Sequence, residues 1–537
     1  MALPRLCCST SQPGSSNAVK TVHPRTGNVG QDFHPATDDA QENYKKIAAD
    51  VSGVCRLGAP GMSLNVVAER DFVAADQEHF AAVCGDRNPI HMDPVAARRT
   101  LVGFPVVHGV HALLWSLDSL FRYLPKLAPV ASIQVSFEKL IYVGDRVQAV
   151  LAHHDKRRLR VEILVEGIRA LRLEVALGDP RSVHDTGSSE PMFQPTEPLI
   201  LTFEQMVKCH GRVPFFSVPN TLCRMFPVAA DALGVQRVAG LACSSFLVGM
   251  VCPGFHSIYR GLNLFTALLR ECDYDALQFR VAHSDPRFKL VRLAVSGGGW
   301  VGSLDAHARP EPTAQPDLPS IATRVLPGEF SNASALVVGG SRGLGELISK
   351  IVAVGGGHVT LTYSVGEADA RRVQAEITAY GGSCDVIHYD VRLKARDQIS
   401  RLSSCPSQVY YLPTPVISRR KSALFSQQRF EEFLTFYVTG FYDLCRELRL
   451  RFGKELSILY PSSVYIDSRP DSMTEYAMAK AAGEILCADI QTFESPGRIL
   501  VRRLPRLPTD QTASLVNITT AEPISAILPI VREVYAS

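Results

Sequence analysis

Between His111 and Leu124 the chain is apolar on nearly every side, with Leu113, Leu114, Trp115, Leu117, Leu120 and Phe121 distributed around a helical period. A helix lying on a protein surface keeps a polar face, and this one has almost none. It must therefore be wrapped by other elements. The residues that follow are suited to the wrapping. β-type runs occur at Ser132 to Phe137, continuing through Ile141-Tyr142-Val143, then at Arg146 to Ala152 after a Gly144-Asp145 turn. Arg160 to Val165 and Leu171 to Leu177 complete the set. One central helix followed by antiparallel strands predicts an α+β unit in which a sheet curls around that helix. A short helix is expected ahead of it, over Asp71 to Val83.

The segment before the apolar helix carries chemistry. It reads Gly85-Asp86-Arg87-Asn88-Pro89-Ile90-His91-Met92-Asp93-Pro94, then Gly103-Phe104-Pro105-Val106-Val107-His108-Gly109. Asp86 and His91 flank an Asn-Pro turn, in which Pro89 sets its own φ and biases Asn88 to an extended form. A carboxylate and an imidazole on one rigid loop can share proton transfers. N–H groups at a helix start near Gly109 can stabilise developing negative charge. The Asp-x4-His spacing, the Asn-Pro-Ile-His core, the following Asp and the His-Gly before the helix resemble the MaoC-like (R)-specific enoyl-thioester hydratases. That resemblance implies the hot-dog fold. It also implies Asp86 and His91 as the acid–base pair, Gly109 at the oxyanion site, and a thioester substrate on coenzyme A or an acyl carrier protein.

The pattern returns further on. His108-Gly109-Val110-His111-Ala112 aligns with Pro253-Gly254-Phe255-His256-Ser257, with an apolar helix expected after each, and Ile133-Gln134-Val135 aligns with Leu277-Gln278-Phe279. This is an internal repeat of a supersecondary unit. The second copy has no Asp-x4-His ahead of it. Longer members of the resembled family are double hot dogs with one working half, so the second repeat is expected to shape the acyl pocket, with His256 a packed structural residue. Val238 to Tyr259 is free of charge for 22 residues, long enough to span a bilayer. Its serines and glycines, Pro253 and His256 favour a buried soluble element instead.

A third region begins at Ala335-Leu336-Val337-Val338, a buried strand that runs into Gly339-Gly340-Ser341-Arg342-Gly343-Leu344-Gly345 and a helix over Glu346 to Val354. A second strand, His358 to Tyr363, and a second helix, Ala368 to Tyr380, follow. This alternation predicts a doubly wound α/β sheet. Tyr476 and Lys480 lie four apart on one helix face, and Ser463 precedes Tyr476 by thirteen residues. Over about Ser334 to Thr509 the region resembles the short-chain dehydrogenase/reductase family. The resemblance implies Ser463, Tyr476 and Lys480 as catalytic residues, with Lys480 lowering the Tyr476 pKa. Gly339, Ser341, Arg342, Gly343, Leu344, Gly345, Asp390, Val391, Tyr476 and Lys480 would hold the cofactor, with Asp390 at the adenine. The second strand ends at Tyr363-Ser364 without the acid that an NAD site needs, and Arg342 can meet a 2′-phosphate, so NADP is the expected cofactor. Two departures stand out. Tyr411-Leu412-Pro413-Thr414 replaces the family's Asn-Asn-Ala-Gly, and Tyr437 occupies the place of its fourth catalytic residue, an Asn.

The expected organisation is a flexible leader over 1–50, hot-dog repeats over 51–180 and 199–308, a proline-bearing linker over 309–332 and a Rossmann domain over 333–537. A net charge of +3 gives no nucleic-acid or membrane-surface footprint, and 13 scattered cysteines without a Cys-x2-Cys pair fit reduced thiols of a cytoplasmic protein. No metal site is expected, and a homodimer is left open. Three functions stay in view: a dehydratase joined to an NADPH-dependent 3-ketoacyl reductase, the same pair run oxidatively, and a hydratase joined to a non-catalytic nucleotide-binding domain. The leader is rich in small polar residues, so removing residues 1 to about 45 should leave the melting temperature within a few degrees in a thermal scan.

Overall fold

Two sheets organise the chain. The computed structural model describes residues 65–182, 191–216, 219–268, 275–417, 424–453, 456–494, 497–515 and 518–536. All of these lie in one structural unit, Met62–Ser537. The leader expected over 1–50 lies outside the described residues.

The first sheet is built from β1 (Val66–Asp71), β2 (Val130–Phe137), β3 (Arg146–His154), β4 (Arg158–Val165), β5 (Ile168–Leu177), β6 (His210–Pro214), β7 (Ser257–Leu268), β8 (Ala276–Asp285), β9 (Leu290–Gly297) and β10 (Trp300–Ala308). Its order is β1-β3-β4-β5-β2-β7-β10-β9-β8-β6, antiparallel at every step. Read inward from either edge, the two halves follow the same order, so the sheet is a repeat joined at β2–β7. There Ile133 faces Leu264, Gln134 faces Asn263 and Val135 faces Leu262. A short helix, α1 (Ala74–Cys84), precedes the wrapped one, α2 (Gly109–Tyr123). In the second half α3 (Val235–Phe246) runs into a π-helical turn, Leu247–Val251. Leu113, Leu117 and Phe121 of α2 share one apolar core with Leu241 and Phe246 of α3. Each such fully buried side chain contributes about 1.5–3 kcal/mol.

The repeat exists, but its register differs from the one read in the sequence. The apolar helix of the second half precedes Pro253-Gly254, and strand β7 follows His256. Leu277-Gln278-Phe279 lies on β8, the counterpart of β3 rather than of β2. A long charge-free run has no period to separate helix from strand, so the match settled on the wrong element. Strand β1 was also unforeseen: Asp71 ends it, and α1 begins only at Ala74. Tyr142 forms a single bridge to Val106 rather than extending a strand.

The second sheet contains β11 (Ser334–Val338), β12 (His358–Tyr363), β13 (Ser383–His388), β14 (Gln408–Tyr411), β15 (Leu456–Ser463) and β16 (Gly497–Leu504). All its pairings are parallel, in the order β13-β12-β11-β14-β15-β16. Helices α4 (Gly343–Val354), α5 (Glu367–Ala379), α6 (Gly440–Phe452), α7 (Thr474–Phe493) and α8 (Pro523–Tyr535) accompany it. This is the doubly wound dinucleotide-binding order, with its crevice between β11 and β14.

Residues 309–332 do not form a loose linker. Leu318, Ile321, Val325 and Phe330 are buried in the core of the second sheet. The Thr313 N–H donates to Asp510 (2.9 Å) and Gln315 to the Pro508 carbonyl (3.2 Å). Five prolines suggested a tether, and the helical spacing of Leu318, Ile321 and Val325 was the signal against it. No single helix among the described residues is long and apolar enough to cross a membrane. One bent pair, Pro227–Leu233 with Val235–Val251, passes on composition, at an angle of 114°.

One polar contact ties α2 to the short helix Pro227–Leu233 that precedes α3. Asp118 on α2 is 7% exposed and accepts the N–H groups of Val228 (2.8 Å) and Ala229 (3.0 Å), capping a helix whose own N-cap, Phe226, offers no side-chain acceptor. Asp118→Ala leaves one buried and one partly buried donor unpaired and should lower stability in urea unfolding by about 1–2 kcal/mol.

Candidate active sites

The first site is assembled where α1 stops. Gly85 ends that helix in the left-handed region (φ 80), which points the next residue inward. That residue, Asp86, is 2% exposed. Asn88 adopts φ −56 and ψ 127, the extended form that Pro89 imposes. Its side chain accepts from the Ile90 N–H (3.3 Å), while its amide nitrogen reaches the carbonyls of Gly249 (2.9 Å) and Gly254 (3.1 Å) in the second repeat.

A buried carboxylate needs donors, and the second repeat supplies one. Ser245 Oγ on α3 donates to Asp86 Oδ2 (2.7 Å), and the Asn88 N–H donates to Oδ1 (3.2 Å). Gly249 makes room for the carboxylate, because a Cβ there would lie 2.3 Å from Oδ1. The half-buried His91 has Nδ1 2.7 Å from the Val106 carbonyl, so that nitrogen holds the proton and Nε2 keeps the lone pair. The His108 ring stacks on it, with centroids 3.8 Å apart. His108 Nδ1 and Nε2 each lie 3.0 Å from an oxygen, that of the Gln77 side chain and that of the Asp86 backbone. The donor atoms of Asp86, His91 and His108 fall within 4.8 Å of one another, which is close enough for a metal site. Burial keeps His108 neutral, so its single N–H serves one of these two oxygens, and it is the Asp86–His91 pair that suits proton transfer. Burial raises the Asp86 pKa, opposed by His91 and by the Ser245 hydroxyl. Burial lowers the His91 pKa, opposed by Asp86. Gly109 is the first residue of α2, so its N–H is one of the donors a helix start leaves unused. Its lack of a side chain lets the Phe137 ring press against that start, where a Cβ would meet Cε1 at 2.8 Å.

The structure brings Asp86 and His91 together and places Gly109 at the start of α2; sequence reasoning missed what surrounds them: Ser245, Gly249, Gln77, the His108 ring and the Asn88 amide. His256 is 6% exposed, with Nδ1 lacking an acceptor among the described residues, and is a packed residue rather than a member of the site.

The second site is a cavity of about 350 Å³ in the crevice of the parallel sheet. It gathers Gly339, Ser341, Arg342, Gly343, Leu344, Gly345 and Val391 on one side and Ser463, Tyr476 and Lys480 on the other. Gly343 (φ 57) turns the chain into α4, and a Cβ on Gly345 would lie 2.1 Å from the Gly339 carbonyl oxygen. Only glycine permits that packing at a helix N-terminus, and the result is a cradle that fits a pyrophosphate. Asp390 departs from its expected place. Its carboxylate is held by Arg392 (2.6 Å), and its neighbours Tyr389 and Val391 line the cavity instead.

The catalytic side differs from expectation in its charges. Burial raises the Tyr476 pKa, and the Ser463 hydroxyl pulls it back. Lys480 was expected to lower it, but its own ammonium is buried and brought down to about 7. Nζ donates to the Pro461 carbonyl (2.7 Å) and sits 3.8 Å above the Tyr437 ring centroid. Tyr437 thus holds Lys480 through its ring face, where the family's Asn would offer an amide. Its hydroxyl meets Thr414 Oγ1 (2.5 Å), its carbonyl accepts from Tyr460 (2.9 Å), and the helix around it, Thr435–Thr439, is a π-turn. Thr414, Leu412 and Pro413 of the unusual segment line the cavity.

Residues 56–171 match the family model described as MaoC like domain, and residues 333–504 the model described as short chain dehydrogenase. The chain carries a MaoC-like domain followed by a short-chain dehydrogenase domain. Among curated relatives, an (R)-specific enoyl-CoA hydratase of Aeromonas caviae is 42% identical over 81 residues, 14% of this chain and 59% of that protein. A fatty acid synthase subunit beta of Gibberella zeae is 26% identical over 125 residues, 23% of this chain and 6% of that protein. The chain therefore spans less than two thirds of either relative. Among solved structures, a short chain dehydrogenase from Burkholderia cenocepacia J2315 in complex with NADP is 24% identical, with 34% of this chain and 78% of that chain covered and a TM-score of 0.31. A 3-oxoacyl (acyl-carrier-protein) reductase from Agrobacterium tumefaciens C58 with NADP bound is 22% identical, with 32% and 68% covered and a TM-score of 0.29.

The contact of Ser245 with Asp86 has a pH signature. Its hydroxyl favours the ionised carboxylate, so Ser245→Ala pushes the folded-state pKa of Asp86 further above the unfolded value. A folded pKa that is raised costs stability as pH rises past the unfolded value. Ser245→Ala should therefore destabilise by about 1–3 kcal/mol near neutral pH and by less as the medium is acidified through the Asp86 pKa, in urea unfolding at several pH values.

Proposed function

We propose that the chain is a bifunctional acyl-thioester enzyme, an NADPH-dependent 3-ketoacyl reductase joined to a 3-hydroxyacyl dehydratase that also runs as an enoyl hydratase. The observation that carries the reading is the buried Asp86 carboxylate facing an imidazole whose Nε2 is left unprotonated by the Val106 carbonyl. Hydration of a 2-enoyl thioester removes one proton from water and places one on C2. An Asp–His pair can take up that proton and return it, while the Gly109 N–H faces the thioester oxygen as it gains charge. The Aeromonas caviae relative is named for enoyl-CoA and for the (R) isomer, which supports that substrate class and stereochemistry here.

The cavity of the second domain supports an NADP cofactor. The cradle Gly339 to Gly345 would hold its pyrophosphate, and Tyr363-Ser364 presents no carboxylate to exclude a 2′-phosphate. A bound NADPH supplies a hydride to the ketone carbon. Tyr476 holds the proton destined for the ketone oxygen, Ser463 donates to that oxygen, and Lys480 sits one helical turn along. The two domains share a 3-hydroxyacyl thioester, the product of reduction and the substrate of dehydration, on coenzyme A or an acyl carrier protein.

Tyr437 favours a second reading. With Lys480 held on its ring, the nucleotide-binding domain would grip cofactor without turnover, and a cofactor titration run beside a turnover assay separates the two. An oxidative direction would instead show as a preference for NAD.

Asp86→Asn or His91→Ala should reduce enoyl-thioester hydration by a factor on the order of a hundred or more while ketone reduction persists, and Tyr476→Phe should do the reverse. Given a 3-ketoacyl thioester and NADPH, the Asp86→Asn protein should accumulate the (R)-3-hydroxy compound by chiral chromatography. Intact hydration in Asp86→Asn removes the first assignment, and an (S) product removes the shared pathway.

A further inference from the structure

The nucleotide cavity is not walled by its own domain alone. Arg98, from the MaoC-like half, lines it together with Arg342 and Ser364. A second cavity, of about 340 Å³, shares those same three residues and adds Arg392 and Glu432. Ser364 follows β12, the second strand of the parallel sheet. At the end of that strand a doubly wound fold reads the ribose 2′ position, with an acid for NAD and an arginine for NADP.

Arg98 is built into place. Its carbonyl accepts from Arg342 Nη1, and its guanidinium pairs with Asp369 in the first turn of α5. Gly366, just before α5, leaves the room, since a Cβ there would lie 2.0 Å from Arg98 Nη2. Arg98 Nε is buried and has no acceptor among the described residues. Asp369 is shared with Arg99 (2.6 Å), and Arg342 is paired with Asp510 (3.1 Å). Arg98 and Arg342 thus bring two guanidinium groups to the wall of the cavity at the point where a 2′-phosphate would enter, while Arg99, paired with Asp369, lines neither cavity.

We infer that Arg98 is a specificity-determining contact for the 2′-phosphate of NADP, so that the hydratase half completes the cofactor site of the reductase half. The inference rests on the proposed NADP site and adds a residue from the other domain to it. A planar, permanently charged fork suits a phosphate, and such charge-assisted bonds are among the stronger polar contacts.

The test is a fluorescence titration of the full chain with NADPH and with NADH. Arg98→Met should weaken NADPH by about tenfold or more and NADH by less than about twofold. Arg99→Met is the control, because Arg99 shares Asp369 but lines neither cavity; it should leave the ratio of the two affinities unchanged. Should Arg98→Met not fold, Arg98→Lys should still weaken NADPH selectively by several-fold, having lost the fork but kept a charge. An unchanged ratio in the Arg98 variants overturns the inference while the NADP reading stands. An equal loss in Arg99→Met also overturns it, by showing that Arg98 acts through domain docking. A wild-type protein that binds NADH as tightly as NADPH overturns the NADP reading itself.

Discussion

The structure depends on one carboxylate that could not be buried by its own half of the fold. Asp86 sits at 2% exposure, and an ionised group at such a place is expensive unless it is hydrogen-bonded. The loop that bears it supplies one donor, the Asn88 N–H, and α3 supplies the other, Ser245 Oγ. Gly249 provides the space, and the Asn88 amide fastens the loop to the same segment. The second repeat lacks an Asp–His pair of its own, and it is nonetheless part of the site. The shared apolar core of α2 and α3 and the continuous β2–β7 pairing follow from the same need, because the donors must be held within a few tenths of an ångström.

Much of this was legible in the chain. The wrapped helix was readable because its large apolar residues fall on nearly every side, and the Asp-x4-His and Tyr-x3-Lys spacings because their chemistry restricts them. What could not be read falls into two kinds. The register of the second repeat was lost because Val238 to Tyr259 carries no charge to mark a period. The partners of Asp86 were lost because Ser245 and Gly249 are ordinary residues, made significant only by a carboxylate about 160 positions earlier, and no local pattern encodes that distance. Asp390 failed differently. Arg392, two residues on, claims its carboxylate, a pairing that the motif alone does not show.

Lys480 shows how one substitution reorganises a site. Burial brings its pKa to about 7, and the Tyr437 ring supplies a contact that stabilises the charged form where an amide would ordinarily be. The two effects oppose each other at the lysine, while the Tyr476 hydroxyl is governed by its own burial and by the Ser463 hydroxyl.

The packing of residues 309–332 bears on how such a chain can change over generations. A flexible tether can be cut, lengthened or moved to another gene with little harm. Here Leu318, Ile321, Val325 and Phe330 have become core of the second sheet, and Thr313 and Gln315 are bonded to its loops at Asp510 and Pro508. A break after Phe330 would strip the downstream product of four buried side chains and expose the surface they cover, whereas a break before Arg309 would leave them in place. The junction therefore restricts where such a chain can be divided: the segment from Leu318 to Phe330 belongs to the folding unit of the second sheet, whatever the two sites hand to one another.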